Sequence, residues 1–138
     1  MYLLDTNVIS EIRKGERANA GVRAFFQQAI ANQEKLFLSV VTIGELRRGI
    51  ELIRYRNDHA QAQQLEQWLD TILSQYRDYI IDIDSDITQL WGRLRVPHHE
   101  HELDKLIAAT AILYDLTVVT RNVQDFAGTG THLLNPFS

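Results

Sequence analysis

Short apolar runs alternate with helical stripes along this chain. Five runs predict strands, at 2–4, 36–40, 79–81, 116–120 and 133–134. Apolar side chains at i, i+3, i+4 spacing predict helices around 22–30, 43–53, 65–76 and 87–94, and 106–113 is apolar almost all round, which predicts a buried helix. This alternation predicts an α/β fold, a three-layer α/β/α sandwich with a central, mainly parallel sheet.

Acidic and amide side chains stand where predicted strands end or helices begin. Asp5 ends the first strand, Glu45 lies one turn into the helix after the second, and Asp104 opens the buried helix. Asn122 and Asp125 follow the fourth strand. Ligands of parallel sheets gather beyond the carboxyl ends of the strands, so these side chains can converge. Oxygen-rich clusters suit Mg²⁺ or Mn²⁺, and a cation relieves the repulsion among crowded carboxylates.

Each of these residues also has an ordinary structural explanation. Asp5 can cap a helix that starts near Asn7. Glu45 fits a capping box that begins at Thr42, or an ion pair with Arg48. Asp104 is favoured by the dipole of its helix, and Asp125 can be a loop carboxylate. The joint pattern, rather than any single member, favours a functional site.

Length, composition and charge narrow the class of protein. The 138 residues fit one domain, 1–138, with 45% hydrophobic residues. The absence of cysteine excludes disulfides, thiolate metal sites and cysteine nucleophiles. The start lacks a signal-peptide pattern and no run is long enough for a membrane span, so we expect a cytoplasmic protein without membrane partners. A net charge of −4 argues mildly against a nucleic-acid partner, but metal ions in an acidic cluster attract phosphate.

Four motifs in order resemble those of PIN domains, and most closely those of the VapC-type toxins in that family. They are LLDTN (3–7), SVVTIGEL (39–46), LDKLIAATA (103–111) and VVTRNVQDF (118–126), followed by LLNPF (133–137). The resemblance covers nearly the whole chain. It implies a compact α/β/α sandwich and an endoribonuclease dependent on Mg²⁺ or Mn²⁺. It further implies the toxin of a toxin–antitoxin pair, with a cognate antitoxin, an RNA substrate and a homodimer.

The resemblance also assigns roles to individual residues. Asp5, Glu45 and Asp104 match the three core acidic positions, with Asp5 and Asp104 as metal ligands. Asn122 stands where some relatives carry aspartate, so either Asn122 or Asp125 is the fourth residue of the site. This fourth residue, together with Glu45, is expected to hold a second ion or to position the attacking water. In this hypothesis water attacks a phosphodiester in line and leaves 5′-phosphate and 3′-hydroxyl ends. Three further residues are expected to orient Asp5 or border the site: Thr6, Asn7 and Thr120.

Several basic and aromatic residues near the motifs have two interpretations. One interpretation is that these basic side chains bind RNA phosphates; the alternative is that they lie on solvated helix faces and form surface ion pairs. The residues concerned are Arg47, Arg48, Arg93, Arg95, Lys105 and Arg121. The run His98–His101 is expected to be a surface loop rather than a transition-metal site. Trp68 and Trp91 are expected in the core, although the stripe of Trp68 and Tyr76 can also pack against a second subunit.

Three other functions stay open. A strand-terminal aspartate also serves phosphoryl-accepting proteins, but phosphatases of that kind usually have a second aspartate two residues later, and position 7 is asparagine. A non-catalytic protein-binding module would not need to bind metal at the acidic cluster. A structure-specific DNA nuclease usually carries extra segments, for which this chain has little room.

Overall fold

The computed structural model describes all 138 residues as five strands and six α-helices. The strands are β1 (Tyr2–Leu4), β2 (Leu36–Ser39), β3 (Ile80–Ile81), β4 (Thr117–Val119) and β5 (Leu133–Leu134). The helices are α1 (Thr6–Ile12), α2 (Ala20–Ala31), α3 (Val40–Tyr55), α4 (His59–Gln75), α5 (Ser85–Leu94) and α6 (Glu102–Tyr114). A 3₁₀ turn at Val123–Phe126 follows β4. The predicted α/β fold is therefore confirmed.

All strands pair in parallel, in the order β3-β2-β1-β4-β5. β1 lies at the centre: Tyr2 is in register with Leu36 on one side and with Thr117 on the other. The chain therefore passes from β1 to β2 toward one edge of the sheet and from β4 to β5 toward the other edge. In open α/β sheets, such a reversal of strand order leaves a crevice beyond the carboxyl ends of the strands.

Helices cover both faces of the sheet. Because successive residues of a strand point to opposite faces, Leu3 and Leu4 belong to different cores although both are fully buried. Leu4 packs in a core that includes Val8 of α1, Val22 of α2, Leu46 of α3 and Leu69 of α4. Leu3 packs in a second core with Ile87 of α5, Ile107 of α6 and Phe126. The predicted three-layer sandwich is the observed architecture.

The beginning of α3 differs from the prediction. The helix starts at Val40, and Ser39 is its cap, because the Ser39 hydroxyl accepts a hydrogen bond from the Val41 backbone N–H at 3.0 Å. The predicted helix start at Thr42, and the capping box with Glu45, are therefore wrong. Thr42 instead lies inside the helix and is buried, which leaves the Glu45 carboxylate free for another contact.

Two predicted apolar faces are partly exposed. Ile30 is on the apolar stripe of α2 but is 71% exposed, because it lines a surface groove with Phe26 and Tyr76. We expected α6 to be buried on all sides, but its burial extends only to Ala111. The next three residues, Ile112, Leu113 and Tyr114, are exposed. Consecutive helical positions point in different directions, so only part of this last turn can face the sheet. No helix is both long and apolar enough to span a bilayer.

Candidate functional site

Asp5 lies at the carboxyl end of the central strand and is 4% exposed. One carboxylate oxygen, Oδ1, accepts the backbone N–H of Thr6 at 2.8 Å and so caps α1. The other, Oδ2, accepts the Thr120 hydroxyl at 2.8 Å and the Asn7 side-chain amide at 3.4 Å. The capping interpretation of Asp5 is therefore correct, and the same geometry places the carboxylate in the crevice beside β4.

The loop after β4 is tied to the start of α1. The Asn7 side chain accepts the backbone N–H of Arg121 at 3.1 Å, and its amide donates to the Thr120 hydroxyl at 3.4 Å. The Thr120 hydroxyl also accepts the backbone N–H of Asn122 at 3.0 Å. Thr6, Asn7 and Thr120, expected to orient Asp5 or border the site, all contact it or its neighbours.

Glu45 reaches the same crevice from the first turns of α3. Its Oε1 accepts the Thr6 hydroxyl at 3.0 Å, so adjacent residues of α1 hold Asp5 and Glu45. Partial burial raises the pKa of Glu45, and the nearby charge of Asp5 raises it further, while Thr6 and Arg48 act in the opposite direction. The Glu45 carboxylate therefore belongs to the site around Asp5.

Asp104 and Asp125 meet above the start of α6. His101, Asp104 and Asp125 each direct a metal-binding atom to a shared region, and these atoms lie within 4.8 Å of one another. Of the two predicted candidates for the fourth position, Asp125 joins this group. Asn122 is exposed and contributes its backbone N–H to the Thr120 hydroxyl.

The carboxylates of the site interact electrostatically. Burial and, to a smaller extent, the charges of Asp5, Asp125 and Glu45 together raise the pKa of Asp104 to about 6. Burial likewise raises the pKa of Asp5, with a smaller contribution from Asp125. Like charges within reach of one another disfavour ionisation. Asp5, Glu45, Asp104 and Asp125 therefore form one acidic site, built from both halves of the chain.

This donor set fits a divalent cation. Carboxylate oxygens are the ligands that Mg²⁺ and Mn²⁺ prefer, and a cation removes the mutual repulsion that raises the pKa of Asp104. Asp104 and Asp125 are only partly buried, which leaves the site open to a ligand from solvent. The arrangement can hold a metal ion and bring a phosphate group to it.

His101 is the member of the site that the sequence pattern did not identify. The prediction of a surface loop is correct for His98–Glu100, which are exposed. However, Nδ1 of His101 lies 3.9 Å from Asp104 Oδ2 and 3.8 Å from Asp125 Oδ1. The signal in the sequence was the spacing of three residues between His101 and Asp104 at a helix start.

The basic residues near the motifs fall into different environments. Arg47 forms an ion pair with Glu66 of α4 at 2.6 Å and a longer one with Glu51, which matches the ion-pair alternative. Lys105 is buried and its ammonium donates to the His98 carbonyl, so the prediction of a phosphate contact is wrong for Lys105. The Arg95 guanidinium stacks on Trp91 at 4.5 Å.

Three of the arginines near the motifs have no carboxylate partner. Arg48 and Arg93 are exposed without an ion pair, and Arg121 stacks on Phe137 at 4.9 Å. Trp68 and Trp91 pack against the two cores but stay partly exposed, and Trp68 also lines a surface cleft, so the prediction that they are core residues is correct only in part.

An apolar cleft leads away from the acidic site. Thr6 and Glu45 border a cavity of about 290 Å³ whose far wall includes Ile53, Leu65 and Trp68. A second groove, of about 560 Å³, shares Arg13 and Trp68 with the first and ends at Ile30 and Tyr76. Together they form a continuous surface, the α1–α4 groove, from the acidic site to the end of α2.

The central strand of a parallel sheet ends at Asp5, and α3, α6 and the turn after β4 bring Glu45, Asp104 and Asp125 to the same site. Together they define an α/β domain with an acidic site of a kind that suits a cation. The family model for the PIN domain matches residues 2–130, and the chain belongs to that family.

Known relatives match over the full length. The toxin FitB of Neisseria gonorrhoeae is 33% identical over 99% of both chains. The solved structure of FitAcB from the same organism superposes with a TM-score of 0.84 at 31% identity, covering 99% of this chain and 98% of that one. A VapC ribonuclease of Sinorhizobium fredii is 29% identical over 99% of this chain and 98% of its own. A toxin–antitoxin complex from Klebsiella pneumoniae matches with a TM-score of 0.67 at 27% identity, over 100% of this chain and 99% of that one.

Proposed function

We propose that this chain is an endoribonuclease dependent on Mg²⁺ or Mn²⁺ and acts as the toxin of a toxin–antitoxin pair. The observation that carries the proposal is the convergence of Asp5, Glu45, Asp104 and Asp125 at the crevice of the sheet. Relatives that span the whole chain are a toxin and a ribonuclease, which supports RNA as the substrate.

Asp5, Asp104 and Asp125 would hold the metal. Bound there, a divalent ion supplies positive charge for the phosphate oxygens and lowers the pKa of water. Thr120 and Asn7 keep the Asp5 carboxylate oriented and favour its charged form.

Glu45 is placed to serve as the general base. Its carboxylate is held by the Thr6 hydroxyl, and its raised pKa brings it closer to the range useful for proton transfer near neutral pH. In the proposed reaction Glu45 accepts a proton from the attacking water. The new bond forms between the water oxygen and phosphorus, and the P–O3′ bond breaks. The departing O3′ takes a proton from solvent, which gives 5′-phosphate and 3′-hydroxyl ends.

Exposed arginines around the crevice would bind the RNA backbone. Arg48, Arg93 and Arg121 are the candidates without a carboxylate partner. Arg48 is close enough to Glu45 to influence its pKa, so it is placed to bind a phosphate next to the scissile one.

The α1–α4 groove is the proposed site for the antitoxin. It is lined by apolar side chains, among them Ile30, Ile53 and Trp68, and it ends at Glu45. An antitoxin segment in this groove would reach the acidic site and could place a cation there, which would block substrate. The homodimer implied by the family resemblance stays a prediction.

The central test is cleavage of a pool of structured RNAs in Mg²⁺, Mn²⁺ or EDTA, with mapping of the cut ends. We expect cleavage by the wild type that needs the metal and is lost in Asp5→Asn. Asp86→Asn is the matched control, because Asp86 is an exposed carboxylate in the first turn of α5. Absence of both cleavage and Mn²⁺ binding would instead indicate a protein-binding module.

A further inference from the structure

The loop that joins α5 to α6 is held through two of its backbone carbonyls and through the carbonyl of the first residue of α6. The Lys105 ammonium donates to the His98 carbonyl, and Arg95 Nε donates to that of His99 at 3.4 Å. Trp91 Nε1 donates to the Glu102 carbonyl at 2.9 Å. The loop between these points carries His101, which caps α6 in the left-handed conformation with φ of 56°. The position of His101 is therefore set by neighbouring elements.

The imidazole of His101 faces two carboxylates without forming a hydrogen bond to either. Its Nδ1 lies 3.9 Å from Asp104 Oδ2 and 3.8 Å from Asp125 Oδ1. Hydrogen bonds between such groups close to about 2.7–3.2 Å. Two ligands of one ion, each bonded at about 2.0–2.2 Å, cannot be more than about 4.4 Å apart. Both separations from His101 lie within this limit, so its Nδ1 is near enough to share an ion with either carboxylate.

We propose that His101 is a nitrogen ligand of the metal at this site and makes the site select a first-row transition ion over Mg²⁺. This inference rests on the proposed function, because it concerns the same ion. Mg²⁺ and Mn²⁺ both bind carboxylate oxygens, but an imidazole nitrogen adds affinity for a first-row transition ion and little for Mg²⁺. The Asp104–Asp125–His101 set would therefore bind Mn²⁺ more tightly than a purely carboxylate site with the same geometry.

The alternative is an ordinary surface ion pair. His101 and Asp104 are three residues apart at a helix start, and the His101 side chain is 53% exposed, so its imidazole can simply balance acidic charge. The two interpretations differ in a measurable way: only a ligand places its nitrogen in direct contact with the ion.

The test uses Mn²⁺ as the probe and the full chain. Electron spin-echo envelope modulation of bound Mn²⁺ detects a directly bonded ¹⁴N, and calorimetry gives separate affinities for Mn²⁺ and Mg²⁺. The variant is His101→Asn, because asparagine tolerates the left-handed conformation found there. His99→Asn in the same loop is the matched control, and Asp104→Asn reports on the site itself.

We expect a ¹⁴N signal in the wild type and in His99→Asn, and its loss in His101→Asn. The Mn²⁺ affinity should fall about tenfold or more in His101→Asn, with a smaller change for Mg²⁺. An unchanged ¹⁴N signal or unchanged Mn²⁺-to-Mg²⁺ selectivity in His101→Asn would overturn the inference. If Mn²⁺ binds and only Asp104→Asn weakens it, the proposed function stands without the role of His101. If the wild type binds no Mn²⁺, both fail.

Discussion

The Thr120 hydroxyl donates a 2.8 Å hydrogen bond to the Asp5 carboxylate across 115 residues of chain. Both side chains are buried, at 0% and 4% exposure, so water does not replace this bond easily. The bond joins the carboxyl ends of β1 and β4 and favours the charged form of Asp5. One contact therefore serves both the packing of the sheet and the state of the site.

Thr120→Val should weaken the fold and the metal site together. The substitution leaves a buried carboxylate oxygen short of a donor, at a cost of about 1–3 kcal/mol. Loss of an orienting hydrogen bond should lower the Mn²⁺ affinity by roughly 10–100-fold. Urea unfolding and calorimetry measure the two effects. Thr120→Ser retains the hydroxyl and should therefore keep most of the stability and most of the Mn²⁺ affinity. If Thr120→Val and Thr120→Ser lost stability and affinity equally, this explanation would be contradicted.

Asp104→Asn should stabilise the metal-free protein above about pH 6. The pKa of Asp104 is raised from 3.8 to about 6 by folding, so between these pH values the folded chain holds a proton that the unfolded chain has released. The free energy of unfolding therefore falls as pH rises through this window. Asparagine does not ionise, so the variant lacks this loss of stability and should become more stable than the wild type as pH rises. We expect a plateau of about 1–2 kcal/mol, discounted because Asp104 is half-buried.

The measurement is urea unfolding in EDTA at pH 4 and pH 7. Asp86→Asn should show no comparable gain. A constant difference between Asp104→Asn and wild type at both pH values would mean that the charge of Asp104 is not the cause.

Metal affinity should rise with pH over the same window. An ion must displace the proton from Asp104, whose pKa is about 6, so Mn²⁺ binding competes with protonation below that value. Calorimetry in buffers of pH 5 to 8 should show an increase of up to about tenfold per pH unit below the pKa and a levelling above it. A pH-independent affinity would place the ion away from Asp104.

Arg47 and Arg48 should respond differently to substitution although they are adjacent. Arg47 pairs with Glu66 at 2.6 Å and also with Glu51, whereas Arg48 is exposed without such a partner. Arg48→Ala should reduce RNA affinity and lower the slope of its salt dependence by about one.

Arg47→Ala should instead leave the salt slope unchanged and destabilise the α3–α4 contact only slightly, as expected for an exposed ion pair. Filter binding at several salt concentrations and urea unfolding compare the two variants. The same loss of salt slope in both would argue that the Arg47 ion pair opens when RNA binds.

Ile30→Glu should weaken antitoxin binding without harming the fold. Ile30 is 71% exposed in the α1–α4 groove, and a carboxylate there would oppose an apolar partner segment. Loss of one buried isoleucine contact corresponds to about tenfold or more in affinity. Titration with the cognate antitoxin measures this affinity. Tyr55→Glu is the control, because Tyr55 is 84% exposed and lies outside the groove. Equal affinities for both variants would place the antitoxin elsewhere.

The sequence pattern predicts the layers of this fold well because each strand and helix has a local period. Leu3 and Leu4 show why: two adjacent apolar residues in a strand need a core on each side. The order of strands is not encoded locally. The pairing of Tyr2 with Thr117 depends on contacts between distant parts of the chain, and only the general rule for parallel sheets indicated that strand ends would meet.

Local signals for the site were partly ambiguous. Ser39 and Thr42 are both good helix caps, and only the position of the sheet decides for Ser39 and leaves Glu45 free to meet Thr6. The place of His101 was hidden because its contact with Asp125 depends on two loops that are separate in sequence. Tertiary packing, rather than residue type, decides which polar residues of a loop enter a site.

The position of β1 between β2 and β4 has a consequence for synthesis of the protein. Asp5 is synthesised before its partners Thr120 and Asp125, and β1 cannot pair with β4 until the residues of β4 have been made. Chains elongate at about 5–20 residues per second, so a nascent chain spends several seconds with an unfinished site. A nascent or truncated chain that stops before Asp125 therefore lacks the complete acidic cluster.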